Sequence, residues 1–549
     1  MKFSTLLFAL LSVANCLRFG AAAGENTFQL ALDYHVPKNI VFSSSQGGSS
    51  HVVWVLSILE ELAARGHHTT FYTRDDHTKF IKNFPTVDLV SAGPALVTKE
   101  EISDILRTLL EISQKVFIER IKKEERRLSS ILLVYLEHVD FFSKHNVDLV
   151  VCDHFNEACI EASITSKIPF IYTSVPLYSL DTSAPYINID FLSFHNPSNK
   201  DVSFFERLKD KVINPIHFFI KARGFIKKSQ QEKMALGLET TSNPAAKLKD
   251  AIKLFNTAFG FAPARPVGPL VELIGPIVPK THPVLTDDLQ QFLDSHQKVV
   301  YVAFGQHAVQ ATEELGLIMT SMLENMETGD IDGILWSVRD MEHLFPETLQ
   351  TRSGQIYRIR ELFGKKEGQD ILFLEWAPQV AILHHPSTRL FLTHGGAGSV
   401  YEALYNGVPI VVYPFFGDQP AAAVIAEENG YGRRMKKSDQ EQAIKVVQEV
   451  LRDDRYRQNA NRFKALVQIR SNHGVQRGAD VVEEALYLHQ DGKINHRRDV
   501  RRDLSFLKAY NLDLYLFSLS VIFGSLFGVY RLVSYGLKRS SVKAKKFHI

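Results

Sequence analysis

Cysteine is scarce: the 549 residues hold three, at positions 16, 152 and 159. Cys16 lies in a segment expected to be removed, so Cys152 and Cys159 alone remain. No disulfide framework is expected to hold the fold, and the core must come from packing, for which the chain is long enough. Charge of one sign is also missing. A formal net charge of +2 gives no reason to expect a nucleic-acid or acidic partner. There is no acceptor sequence for N-glycosylation, since Asn196-Pro197-Ser198 is blocked by its proline. That leaves the compartment undecided. Nor is there an Asp-x-Asp run at a strand end, or a Cys or His pair at zinc spacing, so neither a metal nor another cofactor is expected. What remains, 45% hydrophobic and 23% charged residues, is the composition of a globular protein.

Long apolar runs occur only at the ends. Met1-Lys2, the stretch from Leu6 to Leu11 and the small residues through Ala23 have the layout of a secretory signal peptide, residues 1–23. Near the other end, Leu514 to Tyr530 contains no charge. About 17 residues at about 1.5 Å each span roughly 26 Å, which suits a thin bilayer, and Arg531 can snorkel to let the helix run to Leu537. A transmembrane helix is expected over 512–537, with a juxtamembrane segment over 491–511 and a basic tail over 538–549. Cations on the two sides nearly balance. The signal peptide breaks the tie and implies a single-pass type I protein with a lumenal body. Lys545-Lys546 resembles a retrieval signal displaced by one position, so endoplasmic-reticulum membrane is the expected address.

Between the ends, strand and helix patterns alternate. Ile40-Val41-Phe42, a glycine-rich turn, a helix from Val52 to Arg65 and a strand from His68 to Thr73 make a βαβ unit, and the pattern recurs at Leu149–Cys152 and Pro169–Thr173. A second series runs through Val299–Phe304, Asp370–Phe373, Arg389–Thr393 and Pro409–Tyr413. The fold class is therefore α/β, with two parallel-sheet domains at 24–278 and 279–490 and a ligand cleft between the strands' carboxyl ends. The stretch Asp181–Lys228 breaks the alternation. It holds Phe191, Phe194, Phe204, Phe205, Phe218, Phe219 and Phe225 and reads as an insertion of loops and helices that shapes an acceptor pocket.

The chemistry concentrates between Trp376 and Gln419. The strand ending at Thr393 runs into His394-Gly395-Gly396-Ala397-Gly398-Ser399, with a helix expected from about Val400. Glycines at a strand-to-helix turn let a phosphate approach the backbone, and a helix start supplies free N–H groups. Glu402, one turn past Ser399, can accept both hydroxyls of a ribose. In Trp376-Ala377-Pro378-Gln379 the tryptophan can stack a base and the glutamine can reach a ribose. Asp418-Gln419 can bind sugar hydroxyls. Taken singly, the glycines also fit a tight turn and Trp376 also fits a core position.

Together these residues resemble the signature of the UDP-dependent glycosyltransferase superfamily, the inverting family 1 enzymes. The resemblance covers nearly the whole mature chain, and the terminal anchor resembles the membrane-bound animal-type branch with its glucosyl- and glucuronosyltransferases. It implies two Rossmann-like domains facing across a cleft, the GT-B fold. It implies that Trp376 stacks on uracil, Gln379 and Glu402 hold the ribose, His394 and Ser399 bind the diphosphate beside the backbone cradle of Gly395, Gly396 and Gly398, and Asp418 and Gln419 bind the sugar, with Ala377 in the same UDP-sugar site. Gly398 departs from the plant pattern, which has asparagine there. The resemblance also places a catalytic histidine after the first strand, where this chain has His51, and its carboxylate partner at Asp153. Histidine titrates near neutrality, which suits a base that removes an acceptor's proton. His154 is the rival candidate; His67 and His68 are expected to be structural.

The implied activity is transfer of a hexose, glucose by preference, from a UDP-sugar to a hydroxyl of a small lipophilic acceptor beside a bilayer. Glucuronosyl transfer is the alternative among enzymes. A non-catalytic nucleotide-sugar-binding membrane subunit is the alternative of another class. The sequence does not decide oligomeric state, and self-association stays open.

Overall fold

The computed structural model describes residues 33–96 and 125–546, apart from 178, 189–195, 236, 239, 241–243, 306–310, 339–340, 365–368 and 416. The signal-peptide expectation lies outside the described residues, as do Phe191, Phe194 and the side chain of Phe225. Residues 33–37 close a separate unit, Met1–Pro37, and carry no regular structure. All that follows concerns the unit from Lys38 onward.

The first lobe is built on seven strands: β1 Asn39–Ser43, β2 His68–Thr73, β3 Asp88–Ser91, β4 Leu149–Asp153, β5 Phe170–Ser174, β6 Ile252–Phe255 and β7 Val271–Leu273. Their order in the sheet is β3-β2-β1-β4-β5-β6-β7, and every pairing is parallel. Helices α1 Ser49–Ala64, α2 Glu125–Lys144, α3 Glu157–Thr165 and α4 Asn214–Ala235 belong to this lobe. Parallel strands must be covered on both faces, and the sequence complies. Ile40 and Phe42 of β1 enter one core with Leu149 and Val151 of β4, while Val41, Val150 and Cys152 enter the core on the opposite face.

The second lobe repeats the plan with β8 Val299–Ala303, β9 Gly333–Ser337, β12 Ile371–Leu374, β13 Thr388–Thr393, β14 Ile410–Val412 and β15 Gly432–Arg434; the short pair β10 Thr348–Gln350 and β11 Ile356–Arg358 forms an antiparallel hairpin beside them. The sheet order is β12-β9-β8-β13-β14-β15, again all parallel. Its helices include α5 Thr312–Glu327, α6 Gln379–His384, α7 Ala397–Tyr405, α8 Gln419–Glu428 and α9 Gln440–Arg452. Two sheets of parallel strands facing each other are the arrangement expected from the alternating patterns.

Helix α10, Asp454–Leu488, is the exception to the separation of lobes. Its 35 residues cover about 52 Å. Ala460 and Val467 pack in the second lobe's core, whereas Ala479, Val481, Val482, Ala485 and Leu486 pack in the first lobe's. Where it crosses, Ser471 Oγ donates to Val278 O at 3.0 Å and accepts from Val278 N at 2.9 Å, tying the helix to the linker. Farther on, Arg65 of α1 donates to Glu483 at 2.7 Å and Asp480 at 2.8 Å. His67, expected to be structural, lies 3.1 Å from the same Glu483 and is buried.

The last helix, α11 Leu512–Lys546, contains a stretch Leu512–Lys538 long and apolar enough to cross a membrane, none of it buried. The two cysteines of the body are joined to each other. Cys152 at the end of β4 and Cys159 in α3 form a disulfide. It is no framework, since it closes a separation of seven residues, but it staples a strand end to the next helix.

Candidate active site

In a doubly wound sheet the crevice opens where strand order reverses. In the first lobe that point lies between β1 and β4, which places the turn after Ser43 beside Asp153. Gly47 adopts φ +90°, and a Cβ there would stand 2.7 Å from the His51 ring, so only glycine leaves room for it. His51 sits in the first turn of α1, and its Nδ1–H donates to Asp153 Oδ2 at 3.1 Å. Asp153 is almost fully buried, and its Oδ1 accepts from Phe155 N at 3.0 Å. Burial opposes the charge on Asp153, but the two imidazoles outweigh it and hold the carboxyl far below the usual range. Burial likewise lowers His51, and the charge and hydrogen bond of Asp153 overcome it, leaving His51 above its ordinary 6.5.

His154 is not a mere bystander. Its Nδ1 lies 3.7 Å from Asp153 Oδ2, and its ring stacks on His51 with centroids 4.8 Å apart. Phe155 stacks on His51 at the same distance. The ligand-capable atoms of His51, Asp153 and His154 fall within 4.8 Å of one another, a grouping that linear spacing does not reveal. Beneath them runs a buried chain. His138 Nδ1 donates to Val134 O at 2.6 Å, which leaves Nε2 to accept from Ser43 Oγ at 2.8 Å, and Ser43 Oγ accepts from Asn156 Nδ2 at 2.8 Å. Burial pushes His138 down to about 4, so it stays neutral in this role. Asn156 also caps α3 through Cys159 N. The turn that carries Asp153 is thus fixed by hydrogen bonds as well as by the disulfide.

The second lobe's switch point lies between β8 and β13. Helix α7 starts at Ala397, three residues earlier than expected, so Ser399 lies within its first turn. Gly395 holds φ +88°, and a Cβ there would meet Val412 Cγ1 at 2.7 Å. Gln379, at the start of α6, donates from Nε2 to Glu402 Oε2 at 2.6 Å and to Ser399 Oγ at 3.2 Å, and its Oε1 accepts from Tyr301 Oη at 3.4 Å. Burial pushes the Glu402 carboxyl up to about 7 against the opposing Gln379 bond. Trp376 is 62% exposed and lines the cleft, which removes it from the core. Ala377 beside it is buried but also reaches the wall.

These parts share one cleft of about 1970 Å³, whose walls include His51, Trp376, Gln379, His394, Gly396, Gly398, Ser399, Glu402, Asp418 and Gln419. The lobes approach closely. A Cβ at Gly398 would lie 3.6 Å from Ser50 Cβ of α1, an ordinary contact, and Tyr401 Oη donates to Thr257 Oγ1 at 3.1 Å. Burial raises the Asp418 carboxyl, while the positive field of His51 and His154 acts against it. Gln419 departs from a simple sugar contact: its Oε1 accepts from Phe415 N at 2.7 Å and so shapes the preceding loop.

One expectation needs revision. The described phenylalanines of the 181–228 insertion do not line the cleft; Phe204, Phe205 and Phe219 are exposed. Among the described residues of the insertion, Lys209, Asp210 and Asn214, around the start of α4, are the ones that reach the wall. Conversely, Tyr301 went unforeseen. It lies inside an apolar strand run, and only its hydroxyl's reach to Gln379 reveals a role.

The family model described as UDP-glucuronosyl and UDP-glucosyl transferase matches residues 41–547. The chain is 28% identical over 490 residues to a UDP-glycosyltransferase of Talaromyces amestolkiae, covering 84% of this chain and 91% of that one. It is 26% identical to UDP-glucuronosyltransferase 3A1 of Mus musculus, covering 73% of each. Among solved structures, the glycosyltransferase of kitacinnamycin superposes with a TM-score of 0.57 at 18% identity, over 82% of this chain and 99% of that one. A Phytolacca americana enzyme complexed with UDP-2-fluoro-glucose and pterostilbene superposes at 0.52, also with 18% identity, over 82% of this chain and 100% of that one.

Proposed function

The chain belongs to the UDP-glucuronosyl and UDP-glucosyl transferase family, a UDP-sugar-dependent glycosyltransferase with the GT-B fold, and from that premise we propose that it transfers glucose, with inversion, to a hydroxyl of a small lipophilic acceptor. The observation that carries this reading is His51, hydrogen-bonded to the buried Asp153 and lining the same cleft as Asp418 of the opposite lobe.

His51 donates its Nδ1 proton to Asp153, which leaves Nε2 as the base for the acceptor's hydroxyl proton. The acceptor oxygen forms the new bond to the anomeric carbon as the bond to the UDP oxygen breaks. The electron pair leaves with the diphosphate, whose charge the start of α7 and His394 take up. The chain's own side chains supply proton removal and charge stabilisation without calling on a cofactor. Gln379 and Glu402, already bonded to each other, are placed to take the ribose hydroxyls, and exposed Trp376 to stack the uracil. Among the described residues no arginine lines the cleft, whereas Asp418 does. Lys209 and Lys280 are the lysines on that wall, and a glucuronate carboxylate would have to reach one of them to offset its repulsion from Asp418, which favours a neutral hexose.

We read α11 as a single-pass anchor of the endoplasmic reticulum and the body as lumenal. The Cys152–Cys159 disulfide supports an oxidising compartment. Protease treatment of sealed microsomes tests the orientation: a lumenal body stays intact until detergent is added.

Activity is tested by UDP release from a panel of UDP-sugars with phenol and sterol acceptors. The expected result is turnover with UDP-glucose and a loss on the order of 10³-fold in His51→Ala, with donor affinity retained. Donor binding without turnover in both proteins would favour the non-catalytic subunit, and turnover confined to UDP-glucuronate would reverse the choice of sugar.

A further inference from the structure

The insertion gives the first lobe an unusual surface. Phe204, Phe205, Ile213, Ile216, Phe219 and Ile220 are all exposed, Phe205 to 77%. Scattered apolar residues on a surface need no explanation, but these six, joined by Leu208 and Val212, make eight large ones within seventeen consecutive positions, which do. Cations interleave with them. Between 204 and 228 there are seven lysines and arginines against only Glu206 and Asp210. Aromatic and aliphatic side chains set among lysines suit the boundary of a lipid bilayer, where acyl chains accept the rings and anionic headgroups the cations. Against a protein, the same cations would sit in an interface core, where charge is depleted.

The rest of the chain brings a bilayer within reach. Arg502, in the segment before α11, donates to Asp181 Oδ1 at 3.4 Å and to Asp250 Oδ1 at 3.2 Å. Asp181 also accepts from Lys253, a buried lysine of β6. Asp181 begins the insertion and Asp250 follows it, so the root of the apolar helix is pinned where the insertion leaves and rejoins the sheet. The roughly 10 residues from Arg502 to Leu512 reach at most about 35 Å. The same insertion touches the cleft through Lys209, Asp210 and Asn214.

We propose that Phe204–Ile220 is a second membrane-contact surface, lying in the interface of the bilayer that α11 spans and opening the acceptor end of the cleft towards lipid. This rests on the reading of α11 as an anchor. An acceptor dissolved in the membrane would then reach His51 without crossing bulk water.

The full chain, reconstituted in vesicles containing phosphatidylserine and lipids with a shallow spin-labelled quencher, tests it. A fluorophore is attached through Phe219→Cys, Phe523→Cys or Ile356→Cys in parallel; Phe523 lies in α11 and Ile356, 59% exposed, on the second lobe. Strong quenching at 219 and 523 but not at 356 is the expected result. Quenching at 523 alone would overturn the proposal and leave the anchor standing. No quenching at 523 would remove the anchor and the proposal with it. Shielding at 219 that appears only as protein crowds the vesicle would mean a second copy covers the patch, and would also overturn it. The pair Phe205→Ser and Phe219→Ser is expected to raise KM about 5–10-fold for a bilayer-dissolved acceptor and to leave KM for the UDP-sugar, and for a water-soluble acceptor, unchanged. An equal rise for both acceptors would count against the proposal.

Discussion

At the scale of residues, Asp153 matters because two imidazoles share it. Its charge lifts His51 above 6.5 against burial, so the proposed base is protonated at mildly acid pH and is expected to work as pH rises. Asp153→Asn should let burial win, moving the acidic limb of kcat/KM to lower pH while the plateau falls on the order of 10³-fold; a pH–rate profile checks both. Glu402 carries the opposite dependence. Folding favours its neutral form, so its contribution to stability is present below the ordinary 4.5 and is lost as pH rises through about 7. Bound ribose should reverse this by favouring the ionised carboxylate. UDP affinity measured calorimetrically is expected to rise between pH 6 and 8, and Glu402→Gln should flatten that rise. His51 and Asp153 were singled out by the family resemblance, which sets each just after a readable strand, and they lie within hydrogen-bond distance of each other. Tyr301 was not, since an aromatic in a run of valines signals only a buried strand, and hydroxyl direction depends on the tertiary neighbour.

At the scale of elements, the eight strands read from the sequence have their ends within a residue or two, because apolar runs bounded by glycine or polar residues leave few alternatives, whereas β3, β6, β7, β9, β10, β11 and β15 went unread. The start of α7 was placed late for a physical reason. A helix whose first residues are Ala397-Gly398-Ser399 has no apolar periodicity in its first turn. The insertion was misread for a related reason: exposed and buried phenylalanines look alike until their surroundings are known. The strand-to-helix turn of the second lobe depends on Gly395. Gly395→Ala should cost about 2 kcal/mol, from the positive φ and the encroachment on Val412, and should raise the donor KM roughly 10-fold as the phosphate cradle shifts. Thermal unfolding and donor kinetics read the two effects separately.

At the scale of the whole molecule, the sheets alone suggest two bodies that could be separated at the linker, and α10 says otherwise. Its last turns fill the first lobe's core, with Arg65 and His67 closing on Glu483. The sequence does not show which lobe receives the end of α10, because an apolar stripe does not name its partner. A fragment of residues 24–278 is expected to be insoluble or to bind a hydrophobic dye strongly, whereas adding residues 474–490 in trans should restore solubility; light scattering distinguishes them. The same crossing sets a rule for recombination between relatives. A chimera that borrows a first lobe by exchanging everything before the linker would join a foreign sheet to a native plug. The transplant unit is discontinuous, and a swap that carries the terminal turns of α10 along with the donor parent's first lobe is the one that should keep both its fold and its new selectivity.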